Sequence, residues 1–153
     1  RSIPFIILAM LLIPLTRFIV GTTIGIPGAI VPLVIATVPF FSRQVQLALL
    51  EVDKGVIEAS IAMGCTPLEI IFRVYLKEGL PSLIRASSLT TISLIGLTTM
   101  AGAFGAGGIG NLAISRGYNR FQGDVIVVAT IIMLIIVFIS QAVGDFLEKR
   151  ATK

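Results

Sequence analysis

The sequence predicts an all-α fold, a polytopic transmembrane helical bundle, and three observations carry that prediction. The first is composition: of 153 residues, 56% are hydrophobic and 13% charged, with a mean hydropathy of +1.02, whereas a soluble domain carries about 25% charge. The second is grouping. The apolar residues gather into runs close to the roughly 20 residues that a helix needs to cross a bilayer. The third is a contrast. One stretch, 51–85, abandons that pattern for charged residues and helix-capping signals. The formal charge of +4 lies in loops beside apolar runs, so it bears on membrane orientation and not on nucleic acid. One cysteine, Cys65, and no histidine exclude an internal disulfide and a His/Cys metal cluster. No cofactor is expected in this chain.

Residues 1–153 read as a single transmembrane domain with four spans. The chain opens on Arg1 without an initiator Met, which predicts a piece of a longer protein. No small-residue cleavage site follows the first apolar run, so that run is not a signal peptide. Span one, 3–20, is short and contains Pro4, Pro14 and Arg17, which predict a kink. "GTTIGIPG", 21–28, reads as a turn. Span two, 29–50, holds Pro32 and Pro39, tolerable where neighbouring helices satisfy the freed carbonyls. Span three, 86–102, carries Ser87, Ser88, Thr90, Thr91, Ser93, Thr98 and Thr99. Small and hydroxylated residues allow close helix approach in membranes, and they suit a wet pathway. "AGAFGAGGIGN" is a glycine-rich link. Span four, 125–144, has no charge between Asp124 and Asp145 and is expected to face lipid.

The interruption at 51–85 reads as two short helices. Asp53 can cap a helix from Lys54 to Met63, and Gly64 stands where a left-handed helix-ending residue belongs. Thr66, Pro67 and Glu69 then form a capping box with proline at the first helical position. The second helix runs to Glu78, and Leu80-Pro81 turns it into span three. Ile70, Ile71, Val74 and Tyr75 recur at helical spacing, giving it an apolar face for the bundle. This is either an amphipathic connector on the membrane surface or a docking element for a cytoplasmic partner.

Four spans place both ends and segment 51–85 on one side. Arg43, Lys54, Arg73, Lys77 and Arg85 lie in or beside that segment, and Lys149, Arg150 and Lys153 follow the last span. The other loops hold only Arg17, Arg116 and Arg120. The cationic excess assigns segment 51–85 and the C-terminus to the cytoplasm.

"EASIAMG", with Leu80-Pro81 beyond it, resembles the EAA loop of bacterial ABC-importer permeases. Ser60 stands where the motif has its second alanine, and the isoleucine of its ending is absent. "RSIPFIIL", "AIVPL", "IEASIAMG" and "GAGGIGNLA" resemble more closely the permease family of the methionine importers. The resemblance implies a type I importer permease fold lacking its first span. It also implies a homodimer, with a second permease copy, seated on two ATPase subunits in the bacterial inner membrane and served by a substrate-binding lipoprotein that delivers methionine. It puts Glu58, Ala59, Ser60, Ala62 and Gly64 in the helix that couples to the ATPase. Small residues there suit close approach, and Glu58 near the helix start complements the helix dipole.

"GAGGIG", 105–110, satisfies the G-x-G-x-x-G spacing. That fingerprint needs a preceding strand and an acidic residue about 20 positions on, and here membrane runs fill both places. No Walker A lysine motif appears, so ATP hydrolysis is assigned to a partner and the chain is not read as an enzyme. Met100 ends the hydroxyl-bearing span and, with Ser93 and Thr99, is the candidate pathway and gate group, because a flexible thioether can close a narrow route. Two other functions compete with the importer. A gradient-driven secondary transporter would show ionisable residues within its spans, and the runs have only Arg17 near an edge. A non-transporting membrane scaffold would use 51–85 for docking alone.

Overall fold

The structure is a computed structural model and describes residues 3–152. Lys153, one of the cations assigned to the cytoplasmic side, lies outside the described residues, as do Arg1 and Ser2. All regular elements among the described residues are helical.

The first apolar run is two helices, α1 (Phe5–Leu11) and α2 (Ile13–Val20), broken at Leu12. Pro14 has no N–H to offer the Met10 carbonyl, and its ring crowds that turn. The predicted kink is a one-residue interruption at Leu12, where the Leu12 and Thr16 N–H groups still donate to the Leu8 and Leu12 carbonyls at 3.0 and 2.8 Å, and neither piece alone is long enough to cross a bilayer. Gly21 ends α2 in the left-handed conformation at φ 77°.

Helix α3 (Gly25–Leu50) begins four residues before the expected start of span two. Only 21–24 is non-helical, because Pro27 sits in the first turn, where its missing N–H costs nothing. Gly28 lies against the Thr23 backbone: a Cβ there would come within 2.5 Å of the Thr23 carbonyl carbon. Helix α3 continues through Pro32 and Pro39.

Segment 51–78 contains α4 (Lys54–Ala62), α5 (Pro67–Glu69), a π turn (Ile70–Tyr75) and α6 (Leu76–Glu78). Helix α7 (Leu80–Ala101) starts six residues before the expected span, with Pro81 in its first turn. The glycine-rich link is folded: a π turn (Gly102–Ala106), α8 (Gly108–Leu112) and a second π turn (Ala113–Tyr118) turn back over the end of α7. A Cβ on Gly102 would sit 2.7 Å from the Asn111 amide nitrogen, and Gly110 abuts the Thr99 carbonyl. Helix α9 (Gly123–Ala151) closes the chain.

Helices α3, α7 and α9 are the three long and apolar enough to cross a membrane. Helix α7 packs against both others. Little of the molecule is interior. Half of the buried apolar residues among those described, Ala48, Ala86, Ala101 and Ala129, are alanine, which lets helices approach closely in lipid. Isoleucine, leucine, valine and phenylalanine side chains of α9 stand exposed around the helix, consistent with a lipid-facing span.

Candidate functional site

The segment after α3 is built by local capping. Asp53 Oδ1 accepts from the Gly55 N–H at 2.6 Å and starts α4. Gly64 ends it at φ 82°. Thr66 Oγ1 accepts from the Glu69 N–H, while Glu69 Oε2 accepts from the Thr66 N–H at 2.9 Å and from its hydroxyl. These bonds hold the Glu69 carboxyl below its ordinary value, with the Arg73 charge helping. The caps at Asp53, Gly64 and Thr66 stand where the sequence places them. The second helix differs: its middle is a π turn, not α-helix. Of the four residues expected on its apolar face, Ile70 is buried and Val74 and Tyr75 half-buried, but Ile71 is exposed.

The segment is tied to the bundle at its ends. Gly79 is buried against the Tyr75 carbonyl, Val52 and Leu49. The Ser82 hydroxyl donates to Glu51, and Arg85 Nε donates to Glu148 Oε1 at 3.1 Å, linking α7 to α9.

Glu58, Ala59, Ala62 and Gly64 are exposed. Ser60 is 5% exposed, and its hydroxyl donates to the Val56 carbonyl at 2.8 Å. Of the five candidate coupling residues, four are thus presented and Ser60 is turned inward, where its small size lets α4 lie against its neighbours. Sequence reasoning missed the large apolar residues beside them. Met63 is 76% exposed, and Ile61, Leu68 and Phe72 also stand out from α4 and the following turns. Charged Lys54, Glu58, Arg73 and Lys77 are exposed around them. Apolar side chains exposed within a polar rim mark a protein or membrane interaction site. A helical-period count places Ile71 on the bundle face and gives Met63 and Leu68 no weight, because apolar residues in a membrane protein carry no signal by being apolar.

The pathway candidates divide. On α7, at about 100° per residue, Leu89, Ser93, Gly96 and Met100 share one face; Leu89 and Gly96 are exposed, Ser93 is half-buried and Met100 is 45% exposed. Thr99 is elsewhere: its hydroxyl donates to the Ile95 carbonyl at 2.9 Å and lies 3.6 Å from Met133 Sδ of α9. Thr99 thus lies on the seam with α9, the seam where Ser88 meets Gly144. A second exposed face carries Ser87, Thr91 and Thr98, each hydroxyl donating to a carbonyl of its own helix. A cleft of about 530 Å³ between α7 and α9 opens on that face and includes Ser87, Thr91 and Ser140. A cavity of about 150 Å³ lies among α1, α2 and α3. Neither includes Ser93, Thr99 or Met100. Thr37, midway along α3, has a buried hydroxyl oxygen with no partner among the described residues, a polar atom at mid-span that sequence reasoning did not single out. Among the described residues no group of three or more His, Cys, Asp or Glu could hold a metal ion.

The profile of the family described as binding-protein-dependent transport system inner membrane component matches residues 1–153. The methionine import system permease protein MetP of Bacillus subtilis is 52% identical over 147 residues, covering 96% of this chain and 66% of that protein. The probable D-methionine transport system permease protein MetI of Pasteurella multocida is 49% identical over 150 residues, covering 98% and 69%. Among solved structures, the native crystal form of an inward-facing MetNI methionine ABC transporter contains a chain that superposes with a TM-score of 0.95 at 46% identity, covering 100% of this chain and 71% of that one. The present chain spans about two thirds of the length of these relatives.

Proposed function

The chain belongs to the family of binding-protein-dependent transport system inner membrane components, and from that membership we propose that it is the translocation subunit of an ATP-driven importer of methionine or a close amino-acid relative. The observation that carries the reading is the capped segment 54–69. A bilayer crossing has no use for two short helices with an exposed apolar surface inside a charged rim, whereas a docked ATPase has. Relatives at about half identity are named as methionine import permeases, which supports the substrate class.

In this reading the chain does no covalent chemistry. Two copies form the pathway, and two ATPase subunits grip the α4 segments through Glu58, Ala59, Ala62, Met63 and Gly64. A substrate-binding lipoprotein delivers the amino acid on the far side. ATPase closure draws the α4 segments together. A short helix fixed by caps at both ends transmits that movement as a rigid body, and the ties at Gly79, Ser82–Glu51 and Arg85–Glu148 pass it to α7 and α9. The cationic excess on segment 51–85 supports a cytoplasmic position for it.

Affinity purification of the protein from membranes tests the assignment. An ATPase subunit should come down in equal amount, and methionine uptake should depend on both. A gradient-driven carrier would purify without an ATPase and would stop when the ion gradient is collapsed. A scaffold would bind the partner but move no amino acid. Titration of the lipoprotein with a panel of amino acids fixes the substrate.

A further inference from the structure

The turn between the second π turn and α9 holds an unusual residue. Phe121 has φ 55° and is the one described non-glycine residue with positive φ. It is also 94% exposed. The conformation is enforced from both sides: the Asn119 N–H donates to the Ile114 carbonyl at 2.9 Å and the Gln122 N–H to the Gly117 carbonyl at 3.0 Å. Glycine is the ordinary occupant of a left-handed position after a helix. Phenylalanine there strains the backbone, and its ring lies almost wholly open among the described residues. Burial of the ring by something outside them would offset both penalties.

The neighbours indicate what that is. Tyr118, Arg116 and Arg120 are exposed on the same turn. The turn's depth is fixed by Gly117, whose added Cβ would stand 2.5 Å from Ile126 Cγ1, so the turn lies beside the first turn of α9. The uncharged part of α9, Val125 to Gly144, is about 20 residues and about 30 Å long, one hydrocarbon thickness. Residues 116–122 therefore sit at the level of one headgroup layer. At the same end of the bundle, where Ile24 approaches Gly105, α2 presents Arg17 and Phe18, the latter 88% exposed.

We propose that turn 116–122 is an interfacial anchor that seats in the phospholipid headgroup layer. Phe121 and Tyr118 lie at the hydrocarbon boundary, and Arg116 and Arg120 hold lipid phosphates. Aromatic rings favour that depth, and arginine guanidinium groups match phosphate oxygens. The combination fits anionic phospholipid. It also resolves the sign of the charge: cations on the side away from the cationic loop are disfavoured by orientation alone, yet they serve where they bind a headgroup.

The sequence contains no tryptophan, so Phe121→Trp in the reconstituted full protein, with any tryptophan outside these residues replaced by phenylalanine, gives a single indole reporter. In phosphatidylcholine vesicles containing phosphatidylglycerol, its emission should be blue-shifted. It should be quenched more by phospholipid brominated near the headgroup end of the acyl chain than by phospholipid brominated near the chain terminus. Phosphatidylglycerol should raise the thermal unfolding temperature of the parent chain, and Arg116→Gln with Arg120→Gln should remove that rise. An indole with water-like emission, indifferent to brominated lipid, overturns the proposal. So does a blue shift that appears only when the substrate-binding lipoprotein of the proposed function is added, which assigns the turn to a protein partner. If far-UV circular dichroism shows that Phe121→Trp does not fold, Tyr118→Trp reads the same depth.

Discussion

Gly64 shows how much one residue decides. Its φ of 82° closes α4, and a Cβ added there would meet nothing within 4 Å. Space is therefore not the obstacle; backbone conformation is. Gly64→Val should cost about 1–2 kcal/mol through the left-handed penalty, localised at the exit of α4. Uptake should fall and ATPase association weaken while membrane abundance holds; normal transport by an abundant variant would remove Gly64 from the coupling element. Glu69 makes a second case, because its folded-state carboxyl is held low by the Thr66 backbone N–H, then the Thr66 hydroxyl, then Arg73. A depressed carboxylate contributes stability that is complete above its unfolded value and is lost as pH falls through its folded value. The Glu69 carboxyl, followed by carbon-detected NMR, should titrate below the ordinary carboxylate range. Thr66→Ala should move it upward and cost the local helix about 0.5–2 kcal/mol. An unmoved midpoint in Thr66→Ala would mean that the capping box does not persist in solution.

The elements were unevenly legible. Caps depend on residues two or three apart, so Asp53, Gly64, Thr66 and Glu69 could be read and stand as read. Hydrophobic runs fixed the existence of the long helices but not their ends: α3, α7 and α9 all extend beyond the apolar window. Backbone hydrogen bonding continues through glycine-, proline- and charge-bearing turns that hydropathy treats as loop. Composition marks the glycine-rich segment only as a link, whereas Gly102 and Gly110 are sites of close backbone approach, which only three-dimensional proximity reveals. The faces of α7 were illegible for a related reason. A helix with two packed sides and two open ones has no single polar face, so periodicity could not separate Thr99 in the α9 seam from Met100 on an open face. That separation gives an element-scale prediction. If Met100 lines a pathway shared by two copies, Met100→Cys should cross-link between copies in one nucleotide state of the assembled transporter and not in another. Thr99→Cys should not cross-link in any state. Equal cross-linking at both positions would mean that α7 rotates relative to this structure, and none at either would place the Met100 face against lipid.

At the scale of the whole molecule, the open question is which way the bundle lies in its membrane. The structure joins the capped segment to one end of the three long helices, through Gly79 against Leu49 and Val52 and through Arg85 to Glu148. The glycine-rich turns cap the other end. Lys54, Arg73, Lys77 and Arg85 lie at the first end with Lys149 and Arg150, while Arg17, Arg116 and Arg120 lie at the second. Cations flanking spans are retained on the cytoplasmic side, and the ATPase of the proposed function would have to be reached there. Under that proposal both requirements place the α4 segment inward. Cys65, the sole cysteine in the sequence, is half-buried at the elbow between α4 and α5, so among these residues it alone reports this orientation through its thiol. A membrane-impermeant maleimide should leave it unmodified in intact cells and modify it in inside-out vesicles. Bound ATPase should slow the reaction, because the elbow adjoins Met63 and Gly64. Modification from outside the cell would invert the bundle and separate the α4 segment from any cytoplasmic ATPase. Unslowed modification in vesicles containing the ATPase would keep the orientation and move the docking surface away from the elbow.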